Sequence, residues 1–262
     1  MPLICEKRGH VAILTLSRPE ARNAWCDEYN DRFVELMPAL EDDRDIRCVV
    51  LTGDPAGKAF SAGADLKNPK THSHDSVADF LEELPSRRRS SAITLVTDFS
   101  KPIIAAVNGY AIGIGCIVTY CCDLIVASEH AEWRLPQAGL GIMPAQGGTI
   151  RLARWVGKGQ AMRAAYGFPI PAEEAYRIGL AQWLTKPEAL MDKAMEVADH
   201  IASLPPLATR VTKESLRSGF DSPLSEAVLG DLYRFAALEM TEDKAESHQS
   251  WRERRKPTFR GR

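Results

Sequence analysis

The stretch KPIIAAVNGYAIGIGCIVTYCCDLIVAS, residues 101–128, decides how this chain folds. It opens on an apolar run at 101–109 that reads as a buried strand and closes on another at 122–128. Between them lie a glycine-rich turn and a short apolar helix. Strands alternating with helices point to a parallel sheet built from crossover units. The turn holds the chemical interest. Ile114 stands between Gly113 and Gly115, and Ile117 follows Cys116, in what reads as the wall of a pocket. Small residues where a strand passes into a helix leave backbone N–H groups aimed at whatever binds there, and the helix dipole reinforces them.

Working outward, RCVVLTG (47–53) is another buried strand, and LICEK with HVAILTLS forms a hairpin through Arg8 and Gly9. Asp27 is placed to cap a helix whose apolar face is Phe33, Leu36, Met37 and Leu40. Past Leu184–Pro187 the texture changes, and four helical segments follow with little strand signal between them. The expected organisation is an α/β body over residues 1–186 and a helical region over 187–262. Leu224, Val228, Leu229 and Leu232 make an apolar stripe in that region, to be covered by the body or by a neighbouring subunit. Residues 68–91 are polar, with His72, His74, Asp75 and Glu82, and read as a long loop, either solvated or a substrate-facing lid.

Composition narrows the function. With 45% hydrophobic and 26% charged residues the chain is long enough to bury a large core. A net charge of -2 gives no reason to expect nucleic acid or an anionic membrane as partner. No apolar run is long enough to span a bilayer, and the N-terminal residues read as strand rather than as a targeting segment, so a soluble cytoplasmic protein is expected. The six cysteines form no C-x-x-C pair and have no histidine at zinc spacing, so no metal site is expected. They read as buried free thiols.

Two more glycine-rich passages follow the strand pattern, GKAFSAGADLK (57–67) and LPQAGLGIMPAQGGT (135–149). None of the three matches a nucleotide-binding fingerprint or a nucleophile elbow. Together with LSRPEARNAW near the N-terminus and MTEDKAESHQSWRERRKPTF at the other end, they resemble the crotonase family of enoyl-CoA hydratases and isomerases nearly end to end. The resemblance implies a spiral of β-β-α units with a C-terminal helical region that trimerises, giving a homotrimer or homohexamer. It implies an acyl-CoA thioester as substrate, with coenzyme A as part of that substrate and no separate cofactor. The backbone N–H groups of Ala64 and Ile114 would form the oxyanion hole. Arg22, Ala24, Ala62, Asp65, Leu66 and Lys67 would lie along coenzyme A, and Arg254 and Lys256 would meet its phosphates. The wall of the acyl pocket would be Ile112, Ile114, Ile117, Trp133, Leu135 and Met143, with Trp25 on the coenzyme side.

One departure from the family pattern matters for the reaction. Hydratases of this family use two glutamates, and the positions that match them here are Ile117 and Gln137. Isoleucine carries no proton, and a glutamine amide orients a water or a carbonyl without acting as a base. A further acidic position used by some members falls at Pro144–Ala145, with Gln146 the nearest polar residue. Standard enoyl-CoA hydration is therefore not expected. Three readings stand: an enolate-stabilising lyase, isomerase or hydrolase acting on a hydrophobic acyl-CoA, a weak hydratase, or a non-catalytic acyl-CoA binder.

Overall fold

The computed structural model describes residues 2–67, 76–89 and 91–262. Strand β1 (Leu3–Arg8) turns through Gly9 into β2 (Val11–Leu16), the expected hairpin. Helix α1 (Asp27–Asp42) follows, capped by Cys26, so that Asp27 becomes its first residue. Next come β3 (Cys48–Gly53) and a short β4 (Ala59–Ser61). Helices α2 (Val77–Arg89) and α3 (Ala92–Asp98) lead into β5 (Ile103–Val107), β6 (Tyr110–Ile112) and α4 (Ile114–Cys121). The pattern repeats in β7 (Leu124–Ser128), β8 (Glu132–Arg134) and α5 (Gly148–Ala165). After β9 (Ile170–Pro171), α6 (Ala172–Arg177) and β10 (Trp183–Thr185), the chain continues as α7 (Leu190–Ala202), α8 (Pro206–Gly219), α9 (Leu224–Glu239) and α10 (Glu242–Glu253).

The long strands form one sheet in the order β1-β2-β3-β5-β7-β10, and the short ones a second in the order β4-β6-β8-β9. After the β1-β2 hairpin, each strand pair β3-β4, β5-β6 and β7-β8 gives one strand to each sheet, which is the spiral. From β2 to β10 all neighbours in the first sheet are parallel. Successive side chains of a strand face opposite ways, and both faces here are apolar. Leu14, Val49, Leu51, Ile103 and Ala105 share a core with Tyr29, Phe33 and Met37 of α1. Ile13, Val50, Ile104 and Val126 meet Leu190, Ala194, Val197 and Ala198 of α7. Alternation is lost when both faces are covered, which is why these strands read as unbroken apolar runs.

Residues 68–91 were expected to form a loop, and the structure corrects this for Val77–Arg89, which is helical. Its accessible residues, including Glu82, Leu81 and Leu84, are exposed. A helix with charge on most faces lacks the apolar period that announces one. His72, His74 and Asp75 lie outside the described residues.

Asn23 shows how the N-terminal motif works. It is wholly buried in the left-handed region at φ 56°, where asparagine is better tolerated than most residues. Its carboxamide accepts from Arg18 N at 3.1 Å and donates to Asp54 O at 3.0 Å and Ala59 O at 2.7 Å. One side chain thus ties residues 18–23 to the entry of β4. Asn23→Ala leaves three buried backbone groups without that partner, and we expect it to destabilise the fold by about 2–4 kcal/mol, measured by urea denaturation.

Helix α8 is pinned to the body by Lys213–Asp123 at 2.7 Å and Arg210–Glu41 at 3.0 Å. Asp123 also accepts from Ile103 N at 2.7 Å, fixing the start of β5. The stripe of Leu224, Val228, Leu229 and Leu232 on α9 is exposed in the single chain, as are Leu216 and Phe220.

Candidate active site

The second, smaller sheet places two glycine-rich turns side by side. Pairing of Ser61 with Ala111 aligns the exit of β4 with the exit of β6. A methyl group built on Gly63, which has φ +87°, would lie 2.7 Å from Ile112 O. One built on Gly115 would lie 2.7 Å from Ser61 O and 2.8 Å from Ser61 Cβ. Only glycine permits approaches this close, so the two turns touch through their backbones.

Residues 62–65 are held from behind by the N-terminal motif. Ala62 N donates to Arg22 O at 3.1 Å, Trp25 N to Gly63 O at 2.7 Å, and Asp65 N to Trp25 O at 3.2 Å. In this parallel bridge Trp25 uses both its backbone groups, so the N–H of Ala64 faces the other way. Ala64 itself is exposed. Across from it, Gly113 at φ 55° and ψ −114° turns the chain into α4, whose first residue is Ile114. The N–H of a first helical residue has no acceptor in its own helix. Neither the Ala64 nor the Ile114 N–H has an acceptor among the described residues.

The two positions that match the family's glutamates, Ile117 and Gln137, both lie next to Gly113, the residue before the Ile114 donor, and both are neutral. Ile117, one turn into α4, is 4% exposed. A methyl group built on Gly148 would lie 2.9 Å from its Cγ1 and 3.1 Å from Pro144 Cβ, so Ile117 fills the space against the start of α5. Gln137 sits in a 3-10 turn (Pro136–Leu140) with its Nε2 3.5 Å from where a Gly113 methyl would be. Its Oε1 is buried and has no hydrogen-bond partner among the described residues. Gln146 has left-handed backbone, φ 53°, and its Oε1 is 3.4 Å from Ser91 Oγ at the start of α3. The Cys116 thiol is wholly buried 3.0 Å from Ala111 O, and burial pushes it up to about 12, which removes it as a thiolate nucleophile.

The remaining expected site residues divide into two groups. Arg22, Ala24, Ala62, Asp65, Leu66 and Lys67 surround the Ala64 turn, with Leu66 and Lys67 open to solvent. Asp65 is engaged by Arg18 at 3.0 Å and by the N–H of Lys67 at 3.0 Å. Arg18, whose other nitrogen donates to Ala24 O at 2.8 Å, is a positioning residue that sequence reasoning passed over. Arg254 and Lys256 are elsewhere. Phe259 O accepts from Arg47 at 2.8 Å, and Pro257 and Thr258 share a cavity of about 410 Å³ with Gly9 and His10. Those residues precede β2 and β3, whereas the Ala64 turn follows β3 and β4. A strand of six residues spans roughly 20 Å, so within one chain the two groups lie at opposite ends of the sheet.

Two aromatic assignments are corrected. Trp133 is 1% exposed and donates through Nε1 to Thr119 Oγ1 at 3.1 Å, which makes it a core residue rather than pocket wall. Trp25 is likewise buried, stacked on Phe33 with ring centroids 6.0 Å apart. Met143 points to solvent, 64% exposed.

A spiral of β-β-α units, with two backbone N–H groups at its paired turns that have no acceptor among the described residues, defines the class. The chain belongs to the enoyl-CoA hydratase/isomerase family, whose model matches residues 6–262. It is 37% identical over 263 residues to the (E)-benzylidenesuccinyl-CoA hydratase of Thauera aromatica, covering 100% of both chains. It is 35% identical to the 2,3-dehydroadipyl-CoA hydratase of Escherichia coli, over 99% of each. Among solved structures, an enoyl-CoA hydratase from Bacillus anthracis superposes with a TM-score of 0.92 at 30% identity, covering 100% of both chains.

Proposed function

We propose that the protein binds an acyl-CoA thioester, stabilises its enolate between the N–H groups of Ala64 and Ile114, and carries out a reaction other than standard enoyl-CoA hydration. The observation that carries this reading is the pairing of two donors that have no acceptor among the described residues with an isoleucine and a glutamine near them. When a bond at the α-carbon breaks, negative charge gathers on the thioester oxygen. Two preorganised donors stabilise that charge without reorganising during the step. The two relatives above are named for hydrating unsaturated acyl-CoAs, and hydration needs a group that activates water and a group that delivers a proton. Ile117 does neither, and Gln137 cannot change protonation state. C–C cleavage, isomerisation and decarboxylation pass through the enolate that the hole favours, and thioester hydrolysis passes through a tetrahedral oxyanion that the same two donors would hold.

In this reading the turn 62–67 and Arg22 hold the coenzyme near the thioester, and Ile112, Ile114 and Ile117 give the acyl end an apolar setting. Arg254 and Lys256 reach a coenzyme only from a neighbouring copy, because their own hole lies across the sheet. The exposed apolar faces of α8 and α9 supply a surface on which copies assemble as a trimer or hexamer. No helix among the described residues is long and apolar enough to cross a membrane.

The test is thermal stabilisation by a panel of acyl-CoAs followed by product analysis. At 100-fold excess over Kd a ligand adds about 2.7 kcal/mol, or about 5–10 °C in Tm for a chain of this size. Butyryl-, hexanoyl- and benzoyl-CoA should give shifts of that order, larger than acetyl-CoA. Stabilisation without any product would make the protein a binder, and stabilisation by acetyl-CoA alone would contradict an apolar acyl site.

A further inference from the structure

The last residues of the chain close on α10 around one buried carboxylate. Helix α10 stops at Arg254, whose backbone is left-handed at φ 53°, and Arg255 N turns back to Ser250 O at 3.1 Å. From there the chain runs back along the helix. Thr258 N donates to Glu246 Oε1 at 2.8 Å, and Arg260 N and Gly261 N donate to the two carboxylate oxygens of Asp243 at 2.7 and 2.8 Å. Glu242 N, at the head of α10, donates to Arg262 O at 2.8 Å. Arg47 ties the same segment to the body, donating to Phe259 O at 2.8 Å and to Ala202 O at 3.1 Å. Asp243 is 2% exposed and lies in the first turn of α10, where the helix dipole favours a negative charge. Hydrogen bonds to an ionised acceptor are the strong ones, so this side chain sets the path of residues 260–261.

The bend made by this closure carries three basic residues, and they are not equivalent. Arg255 is engaged by Glu246 and Glu253. Arg254 and Lys256 on either side of it are exposed, and their side chains have no partner among the described residues. Resting on the acyl-CoA reading above, we propose that Asp243 is a positioning residue for coenzyme A. By clamping residues 260–261 to the first turn of α10 it fixes the 254–256 bend, and so holds Arg254 and Lys256 ready for the phosphates of a coenzyme bound in a neighbouring copy. Asp243 itself never touches the coenzyme and acts through the two cations. A guanidinium or ammonium on a fixed bend meets a phosphate without the ordering cost that a loose segment carries.

Asp243→Asn keeps the side chain's size but replaces one acceptor oxygen with an NH2 group, which cannot accept from the backbone N–H it faces. Calorimetric titration with butyryl-CoA tests the proposal on four proteins: the wild type, Asp243→Asn, Arg254→Ala with Lys256→Ala, and all three substitutions together. The cycle separates positioning from general damage. Removing the two cations should weaken binding about 10-fold or more, and Asp243→Asn alone about 5-fold. In the protein already lacking both cations, Asp243→Asn should weaken binding by less than about 2-fold, because nothing is left for it to position. Arg260→Pro, at an exposed residue, deletes a donor to Asp243 instead; it should give the same pattern and serves where Asp243→Asn does not fold. Losses that add in full, or no loss on removing the two cations, would overturn the proposal and leave the acyl-CoA reading standing. A wild type that does not bind butyryl-CoA would overturn both.

Discussion

Replacing Ile114 with proline should lower turnover about 10²–10³-fold while leaving Tm within about 2 °C of the wild type. Backbone donors escape ordinary mutagenesis because every residue but proline carries one. Here the donor heads α4, and the first position of a helix is where proline fits without losing an intrahelical hydrogen bond. Proline constrains the residue before it, but that residue is Gly113, already at φ 55° and free of a side chain. The substitution removes one N–H from the hole together with the part of the Ile114 side chain that packs on the core, a loss that Ile114→Ala measures separately. Loss of one such donor costs about 2.7–4 kcal/mol in comparable oxyanion holes. Unchanged kcat with unchanged Tm would place the thioester oxygen somewhere other than between Ala64 and Ile114.

The layered β-α body is legible in the sequence, and what is legible and what is not have physical reasons. Strands β5 and β7 announce themselves because both of their faces are buried. Strands β6 and β8 do not, since three residues are too few to show a period, and their pairing with β4 depends on residues distant in sequence. The small sheet was therefore missed, although its glycine-rich exits were seen. Gly63 and Gly115 stood out by type, but that they bring Ile112 and Ser61 into backbone contact is a tertiary fact. Trp133 shows the limit for aromatic residues. Sequence placed it next to the pocket, and only the Thr119 hydroxyl at its indole N–H shows that the ring is committed to the core. The basic residues at the end of α10 are the opposite case. Their charge suggested phosphate, while their distance from the Ala64 turn within one chain could be read only from the sheet. Arg18 had its signal in LSRPEARNAW, but the partner that explains it, Asp65, lies in another motif.

The larger expected effect is a gain. Ile117→Glu combined with Gln137→Glu should raise crotonyl-CoA hydration about 100-fold or more over the wild type, since a paired acid and base contribute about 10²–10⁴-fold when a hole is already in place. Two carboxylates close together in a site sheltered from water do not both ionise readily, so one is held protonated as the acid while the other serves as base. Geometry favours the exchange at both positions. Ile117 packs against Gly148 and Pro144 at the start of α5, and glutamate is close to isoleucine in volume. Gln137→Glu keeps the side chain's size and its place by Gly113. Either single substitution should give a far smaller gain, because each supplies only half of the proton transfer.

The central claim is that this chain keeps the oxyanion hole of its family without the carboxylates of a hydratase. Steady-state crotonyl-CoA hydration by the wild type and by the double variant, measured side by side on folded protein that binds the ester, tests it most directly. The wild type should stay near the uncatalysed background, and the double variant should run at least about 100-fold above it. A wild type that hydrates crotonyl-CoA rapidly, or a double variant that folds and binds yet stays inert, would contradict it.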